Sequence, residues 1–265
     1  MPRTGRVGAY AGPVRLYDPD RAHLVDVSPS TEGLLTLCSC LPTEQPDLTI
    51  GAARILLMTD VIRRVADVTG LQVVAVRASP GADAGRIQHR AAALNIHPVD
   101  PEPVATVRRE YDVHVGGTPS CPKGHAARHW VTVEEVVAHH AAMRDLETGG
   151  RDPLSLRLAL FGVHHRQPIE VTPAAMADAD VVLAHWRART AEWAMRPSSA
   201  MPPDVVARMV SALDDDLDVP RLLAILEEVE HSPSIRDGSK FEVFAFIDRI
   251  LGLDLARTVG RPLAG

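Results

Sequence analysis

GLLTLCSCLPTEQPDLTIGAARILLMTDVIRRVADVTGLQVVAVR, residues 33–77, is the stretch that decides the fold. Its opening, Gly33-Leu-Leu-Thr-Leu-Cys38, reads as a short buried strand, and its close, Leu71-Gln-Val-Val-Ala-Val-Arg77, as a second. Between them, residues 51–68 place Ile55, Met58, Val61, Ile62 and Val65 at helical spacing, and Gly70 stands where such a helix would stop. A strand, helix, strand unit predicts a parallel sheet with helices packed on it.

Working outward, residues 85–94 read as a helix followed by an extended, Pro-spaced linker. Tyr111-Asp-Val-His-Val-Gly-Gly117 reads as a strand running into a glycine turn. Residues 132–146 predict a helix broken by Gly149-Gly150. After Asp152-Pro153 the pattern is helical throughout, over 154–162, 173–195, 203–213, 219–230 and 240–251, with Pro near several helix starts. This predicts two domains: an α/β nucleotide-binding domain over 1–150 and a helical bundle over 151–265.

The chain has 265 residues, 46% of them hydrophobic, enough for a full core or two modest ones. A net charge of −6 gives no general attraction to a polyanion such as tRNA. No apolar run approaches the roughly 18 to 20 residues of a membrane span, and residues 1–10 lack the apolar centre of a signal peptide. Cysteine is sparse, with only Cys38, Cys40 and Cys121, so a reducing cytoplasm is the expected compartment. Lys123 and Lys240 are the only lysines.

Cys40-Leu-Pro-Thr-Glu-Gln-Pro-Asp-Leu-Thr-Ile-Gly-Ala-Ala-Arg54 resembles the segment of the class I cysteinyl-tRNA synthetase family that begins at a zinc-binding cysteine and runs into the HIGH signature. The resemblance continues in family order through Thr59-Asp-Val-Ile-Arg-Arg64, Ala93-Leu-Asn-Ile-His-Pro-Val-Asp-Pro-Glu-Pro-Val-Ala-Thr106, Asp112-Val-His-Val-Gly-Gly117, Asp152-Pro-Leu-Ser-Leu-Arg157, His164-His-Arg-Gln-Pro168, Leu213-Asp-Asp-Asp-Leu-Asp-Val-Pro220 and Phe246-Ile-Asp-Arg-Ile-Leu-Gly-Leu253. The mycothiol cysteine ligase, which joins cysteine to an amino sugar without tRNA, is a related member and is matched about as well. The resemblance implies a shortened, divergent paralogue with a Rossmann-like (HUP-type) sheet domain followed by helices.

Departures from the family pattern bear on chemistry. Thr49-Ile-Gly-Ala52 stands where HIGH places two histidines that stabilise ATP phosphates. No lysine lies between Trp130 and Arg157, where the family carries its lysine-rich KMSKS loop; Arg144 and Arg151 are weak substitutes. Each preorganised transition-state donor typically contributes on the order of 10²–10³ in rate, so conventional amino-acid activation is expected to be weak. The family's insert shrinks to about residues 78–109, and the chain ends after the bundle rather than in an anticodon-reading region, so full tRNA binding is not expected.

Cys121-Pro-Lys-Gly-His125-Ala-Ala-Arg-His129 is the strongest local metal motif, because on a helix His125 and His129 would share a face. The resemblance implies a zinc set of Cys40, Cys121, His125 and His129, with Cys38 a substitute ligand. Read without it, the cysteines are buried apolar residues and the histidines solvated. The resemblance also implies an adenosine or ATP pocket formed by Thr49, Gly51, Asp112, His114, Gly116 and Gly117; without it, the glycines make an ordinary turn. His139-His140 and His164-His165 lack a carboxylate at ligand spacing, and Asp214-Asp-Asp216 reads as a solvated helix turn. No catalytic residue is assigned. Two functions follow as expectations: a ligase-like or aminoacyl-transferring enzyme that binds cysteine or a related amino acid at zinc, or a noncatalytic module that keeps the scaffold to bind a nucleotide, an amino acid or a protein.

Overall fold

The computed structural model describes residues 14–19, 21–42, 48–78, 84–101, 109–117, 125–138 and 150–260. Its centre is a five-stranded, fully parallel sheet of β3 (Leu34–Cys40), β4 (Gln72–Ala78), β5 (Asp100–Pro101), β6 (Arg109–Gly116) and β7 (His125–Thr132), in the order β5-β4-β3-β6-β7. Ahead of it, β1 (Val14–Asp18) and β2 (His23–Val27) form an antiparallel hairpin that the sequence reading did not anticipate.

The deciding stretch folds as read. α1 (Ile50–Thr69) joins β3 to β4; Thr49 caps it by accepting from the Ala52 N–H at 3.1 Å, and Gly70 ends it at φ +88°. Leu35, Leu37, Val113 and Val115 pack with α1 in the main core, and the Ser39 and Thr59 hydroxyls meet at 2.8 Å between strand and helix. The opposite face carries a second, smaller cluster of Cys38, Cys40, Val76, Ala78 and Tyr111, with Trp130 against it. α2 (Ala84–Ala93) follows β4 as expected.

One expectation is overturned. Within the helix predicted over 132–146, Thr132 ends β7 and Val136–Ala138 form β8, which pairs in parallel with β9 (Ile169–Val171). The segment His129-Trp-Val-Thr132 alternates in character, and pairing with β6 gives its backbone a ladder that an isolated helix would lack. Residues 139–149, including His139 and His140, lie outside the described residues.

The remaining helices are α3 (Pro153–Phe161), α4 (Pro173–Trp193), α5 (Pro203–Leu213), α6 (Val219–His231) and α7 (Asp237–Leu251). Asp152, Thr172 and Asp218 cap three of them through side-chain oxygens, each followed by an early proline. One apolar core runs from β1 through the sheet and α1 into all five of these helices. None of the helices among the described residues is long and apolar enough to cross a membrane.

Several of the family-like segments meet at one buried carboxylate. Asp60 is 2% exposed and accepts from His97 Nδ1 at 2.6 Å, Arg64 Nε at 2.7 Å and Arg157 Nη2 at 2.7 Å. Burial by itself would raise its pKa, but the His97 hydrogen bond and the Arg157 and Arg64 charges outweigh that and hold it well below the usual carboxylate range. Gly252, at φ +61°, closes the network: a Cβ there would lie 2.9 Å from Arg157 Nη2 and from Arg64 Cζ. The last residue of the acidic run also departs from expectation. Asp216 is 2% exposed, with φ +56°, and its Oδ1 accepts from the Tyr17 N–H at 2.8 Å, so it is an internal tie to β1 and not a solvated turn.

Candidate functional site at the strand switch point

The strand order reverses between β3 and β6, and in open parallel sheets such a reversal leaves a crevice at the carboxyl ends of the two strands. Cys40, the last residue of β3, pairs in register with Gly116, and Cys38 with His114. Cys40 and His114 therefore project from the same face, where Cys40 Sγ lies 3.6 Å from His114 Nδ1. His114 is fully buried between two rings, its centroid 5.5 Å from that of Tyr111 and 5.6 Å from that of Trp130.

Gly116 stands in a crowded place. A Cβ there would stand 3.1 Å from Cys40 Cβ, 3.2 Å from the Cys40 carbonyl oxygen and 3.3 Å from Trp130 Cζ2. Trp130 Nε1 is buried with no hydrogen-bond partner among the described residues, a donor with its capacity unspent. Two sulfur and nitrogen atoms on one tetrahedral zinc, with bonds of about 2.3 and 2.0–2.1 Å, sit roughly 3.6 Å apart, so the Cys40–His114 separation fits two of that ion's ligands.

The other sequence-derived ligands fare differently. Cys121 lies outside the described residues. His125 and His129 stand on β7, where four residues advance about 13 Å, not one helical turn, so the shared helical face is lost. The register pairs His129 with Val113, which pairs with Leu37, and this places His129 across the sheet from Cys40. Its Nδ1 is 3.9 Å from Asp18 Oδ2 on β1, and burial pushes its pKa down.

Of the nucleotide set, Asp112 shares a face with His114, but its carboxylate is taken up internally. It accepts from the Ser30 N–H at 2.7 Å, the Thr36 N–H at 2.9 Å and the Thr36 hydroxyl at 2.8 Å. Burial would raise its pKa; the Thr36 and Ser30 hydrogen bonds prevail and lower it. Its role is to fix β6 against β3. Gly117 follows β6, and a Cβ there would only touch the Val133 carbonyl at 3.6 Å. Thr49 and Gly51 lie at the start of α1, beside a cleft of about 530 Å³ lined by Thr49, Ile50, His89, Arg90, Pro153 and Leu156 among others. His89 and Arg90, on α2, were not foreseen; two cationic-capable groups late in an otherwise unremarkable short helix are a weak signal. Trp130 and Tyr111 carry no local signal for this place: Trp130 meets His114 only through the β6–β7 register, and Tyr111, three residues before His114, would fall on the other face of a regular strand.

Arg54, on α1, is a buried keystone. Its guanidinium donates to the carbonyls of Glu134, Val163, His164 and Gln167 at 2.8–3.1 Å, and burial lowers its pKa to about 10, which leaves it charged at neutral pH.

Over 111 residues, 42% of this chain and 27% of the relative, the sequence is 34% identical to the L-cysteine:1D-myo-inositol 2-amino-2-deoxy-alpha-D-glucopyranoside ligase of Acidothermus cellulolyticus. The protein of the same name from Thermobispora bispora is 33% identical over 104 residues, 39% of this chain and 25% of that one. That from Mycolicibacterium smegmatis is 34% identical over 114 residues, 42% and 27%. The match thus spans about a quarter of the length of these curated relatives. No family model matches the chain.

Proposed function

We propose, from the likeness to these ligases and the geometry of the sheet, that the chain is a cysteinyl-tRNA synthetase-like, ligase-like enzyme that holds cysteine, or a similar thiol amino acid, at the β3–β6 switch point. The observation that carries the proposal is the buried Cys40–His114 pair, at the separation of two ligands on one zinc ion. Cys40 and His114 would hold the metal, with Cys121 as the third protein ligand, in place of the His125 and His129 that the helical reading supplied. Zinc in that position, with one coordination place left open, would take a substrate thiolate and so separate cysteine from serine by bond chemistry, not size.

The chain's own residues supply the rest. Gly116 leaves the room beside Cys40 that a side chain would fill, and Tyr111 and Trp130 close the pocket against water around the imidazole. Trp130 Nε1 can donate to a substrate oxygen. The cleft at the start of α1 offers the helix N-terminus together with His89 and Arg90 to an anionic group such as a nucleotide phosphate. Amino-acid transfer to a small amine, without tRNA, is the reaction we assign.

The Thr49-Ile-Gly-Ala52 replacement of HIGH favours a second reading, a noncatalytic module that binds nucleotide or amino acid. ATP–pyrophosphate exchange measured across the amino acids, with zinc content determined in the same preparations, separates the two. Exchange with cysteine above all others, with about one thiolate-bound zinc per chain that Cys40→Ser removes, is the expected result. Nucleotide binding without exchange for any amino acid would establish the module, and a metal-free protein that still exchanges would remove zinc from the mechanism.

A further inference from the structure

Away from the switch point, one buried polar group with little to satisfy it among the described residues is an imidazole in the turn after α3. His165 is 3% exposed, and neither ring nitrogen has a hydrogen-bond partner among the described residues. Native proteins rarely leave such nitrogens unpaired, so each one that remains asks for a ligand. The carboxylate that the sequence reading found missing near this pair comes from the α5–α6 connection, 51 residues further on. His165 Nε2 lies 3.5 Å from Asp216 Oδ2, and His164 Nε2 lies 3.9 Å from the same oxygen. The two rings lie 4.3 Å apart, and the three ligand atoms are all within 4.8 Å of one another.

We propose that His164, His165 and Asp216 form a binding site for a zinc-type transition-metal dication, distinct from the Cys40–His114 pair. Two imidazoles and a carboxylate suit zinc, cobalt(II) and their neighbours, and leave the alkaline-earth ions poorly served. Ligand atoms at bonds of about 2.0–2.1 Å in a tetrahedral set lie roughly 3.3–3.4 Å apart, so His165 already stands near ligand spacing from Asp216 Oδ2, while His164 must draw in toward both on binding. The Tyr17 N–H, bound to Asp216 Oδ1, turns Oδ2 toward the imidazoles, the kind of outer contact that orients a metal-binding carboxylate.

Two cations face the site. Arg166 Nε lies 2.7 Å from Asp216 Oδ2, with its guanidinium 4.1 Å over the Tyr17 ring, and Arg54 stands behind the Val163 and His164 carbonyls. Both Nη atoms of Arg54 are engaged by carbonyl oxygens. Arg166 occupies the carboxylate oxygen that the ion needs, so it competes with the ion; on metal binding it gives up Oδ2 and keeps the tyrosine face. His164 Nδ1 accepts a long, 3.3 Å hydrogen bond from the Arg166 N–H, and ligation through Nε2 would place the proton on Nδ1 and forfeit that contact. The bound ion would stitch β1, the turn after α3 and the α5–α6 connection together.

The test uses the full chain carrying Cys40→Ser and Cys121→Ser, which removes the two thiolates assigned to the switch point and leaves the buried Cys38, titrated with Zn²⁺ by calorimetry and with Co²⁺ by absorption. One ion per chain is expected, with cobalt d–d bands, no sulfur-to-cobalt charge transfer and a raised melting temperature. His164→Gln should weaken binding by at least about tenfold, the loss seen even for an indirect metal partner. Arg166→Met should strengthen it, a sign that a purely structural cluster would not produce. Absence of an ion from the doubly substituted protein, or equal affinity in the parent and His164→Gln, overturns the proposal. If the two serines unfold the chain, the unsubstituted protein reads the same site as a metal equivalent that His164→Gln abolishes while the sulfur-to-cobalt absorption stays unchanged; an unaltered stoichiometry there refutes it equally.

Discussion

Asp60 shows how one side chain can hold distant segments together. It neutralises Arg157, whose guanidinium is fully buried and whose pKa burial lowers to about 10, still charged at neutral pH. Asp60→Asn strips that charge of its partner and should cost about 3–5 kcal/mol in guanidinium unfolding. The effect has a definite pH signature. Because the Asp60 pKa is depressed on folding, its contribution is complete above the unfolded carboxylate value of about 4 and is lost as pH falls through the lower folded value. Unfolding midpoints from pH 7 to 3 should therefore drop below pH 4 in the parent and less steeply in Asp60→Asn. His165 adds an earlier decline: burial first, then the His164, Arg166 and Arg54 charges, hold its pKa well below normal, so its contribution fades as pH falls beneath about 6.5. The individual partners of Asp60 stood in the quoted motifs, but nothing local announced that Arg64, His97 and Arg157 converge on it, because 97 residues separate Asp60 from Arg157.

Elements whose signals are local were legible. α1 is readable from its periodicity and from Gly70, and the bundle helices from the prolines near their starts, whereas the Thr49 cap is seen only in the structure. β7 was not, because alanines and spaced histidines satisfy a helical reading equally well and only the neighbouring β6 decides. β1 and β2 escaped because five-residue strands with polar members, joined by a hairpin, carry little pattern. At the site, Cys40, His114 and Gly116 were legible through resemblance, while the contact between Cys40 and His114, 74 residues apart, emerges only when β3 and β6 align. That alignment makes a prediction for the strand pair. Gly116→Ala inserts a methyl against Cys40 and Trp130, and the crowding should destabilise the fold by about 1–3 kcal/mol and weaken metal binding at Cys40, read by thermal melts and zinc titration.

At the scale of the whole molecule, the apolar core is continuous from β1 to α7, and β8 and β9 pair across the boundary expected near residue 150. Halves joined in this way should unfold as one. Trp130 reports on the sheet, and Trp186 and Trp193, packed on Phe244, report on the helices. Near-ultraviolet and far-ultraviolet circular dichroism should give coincident transitions, and two resolved transitions would show separately folding halves. The reversal in strand order has a consequence for synthesis. β3 finds β4 soon after it leaves the ribosome, but its other edge waits for β6, whose first residue follows Cys40 by 69 positions. Throughout that interval the nascent polypeptide carries a bare row of amides and carbonyls beside Leu35 and Leu37, a surface to which holding chaperones and neighbouring polysomal chains have equal access.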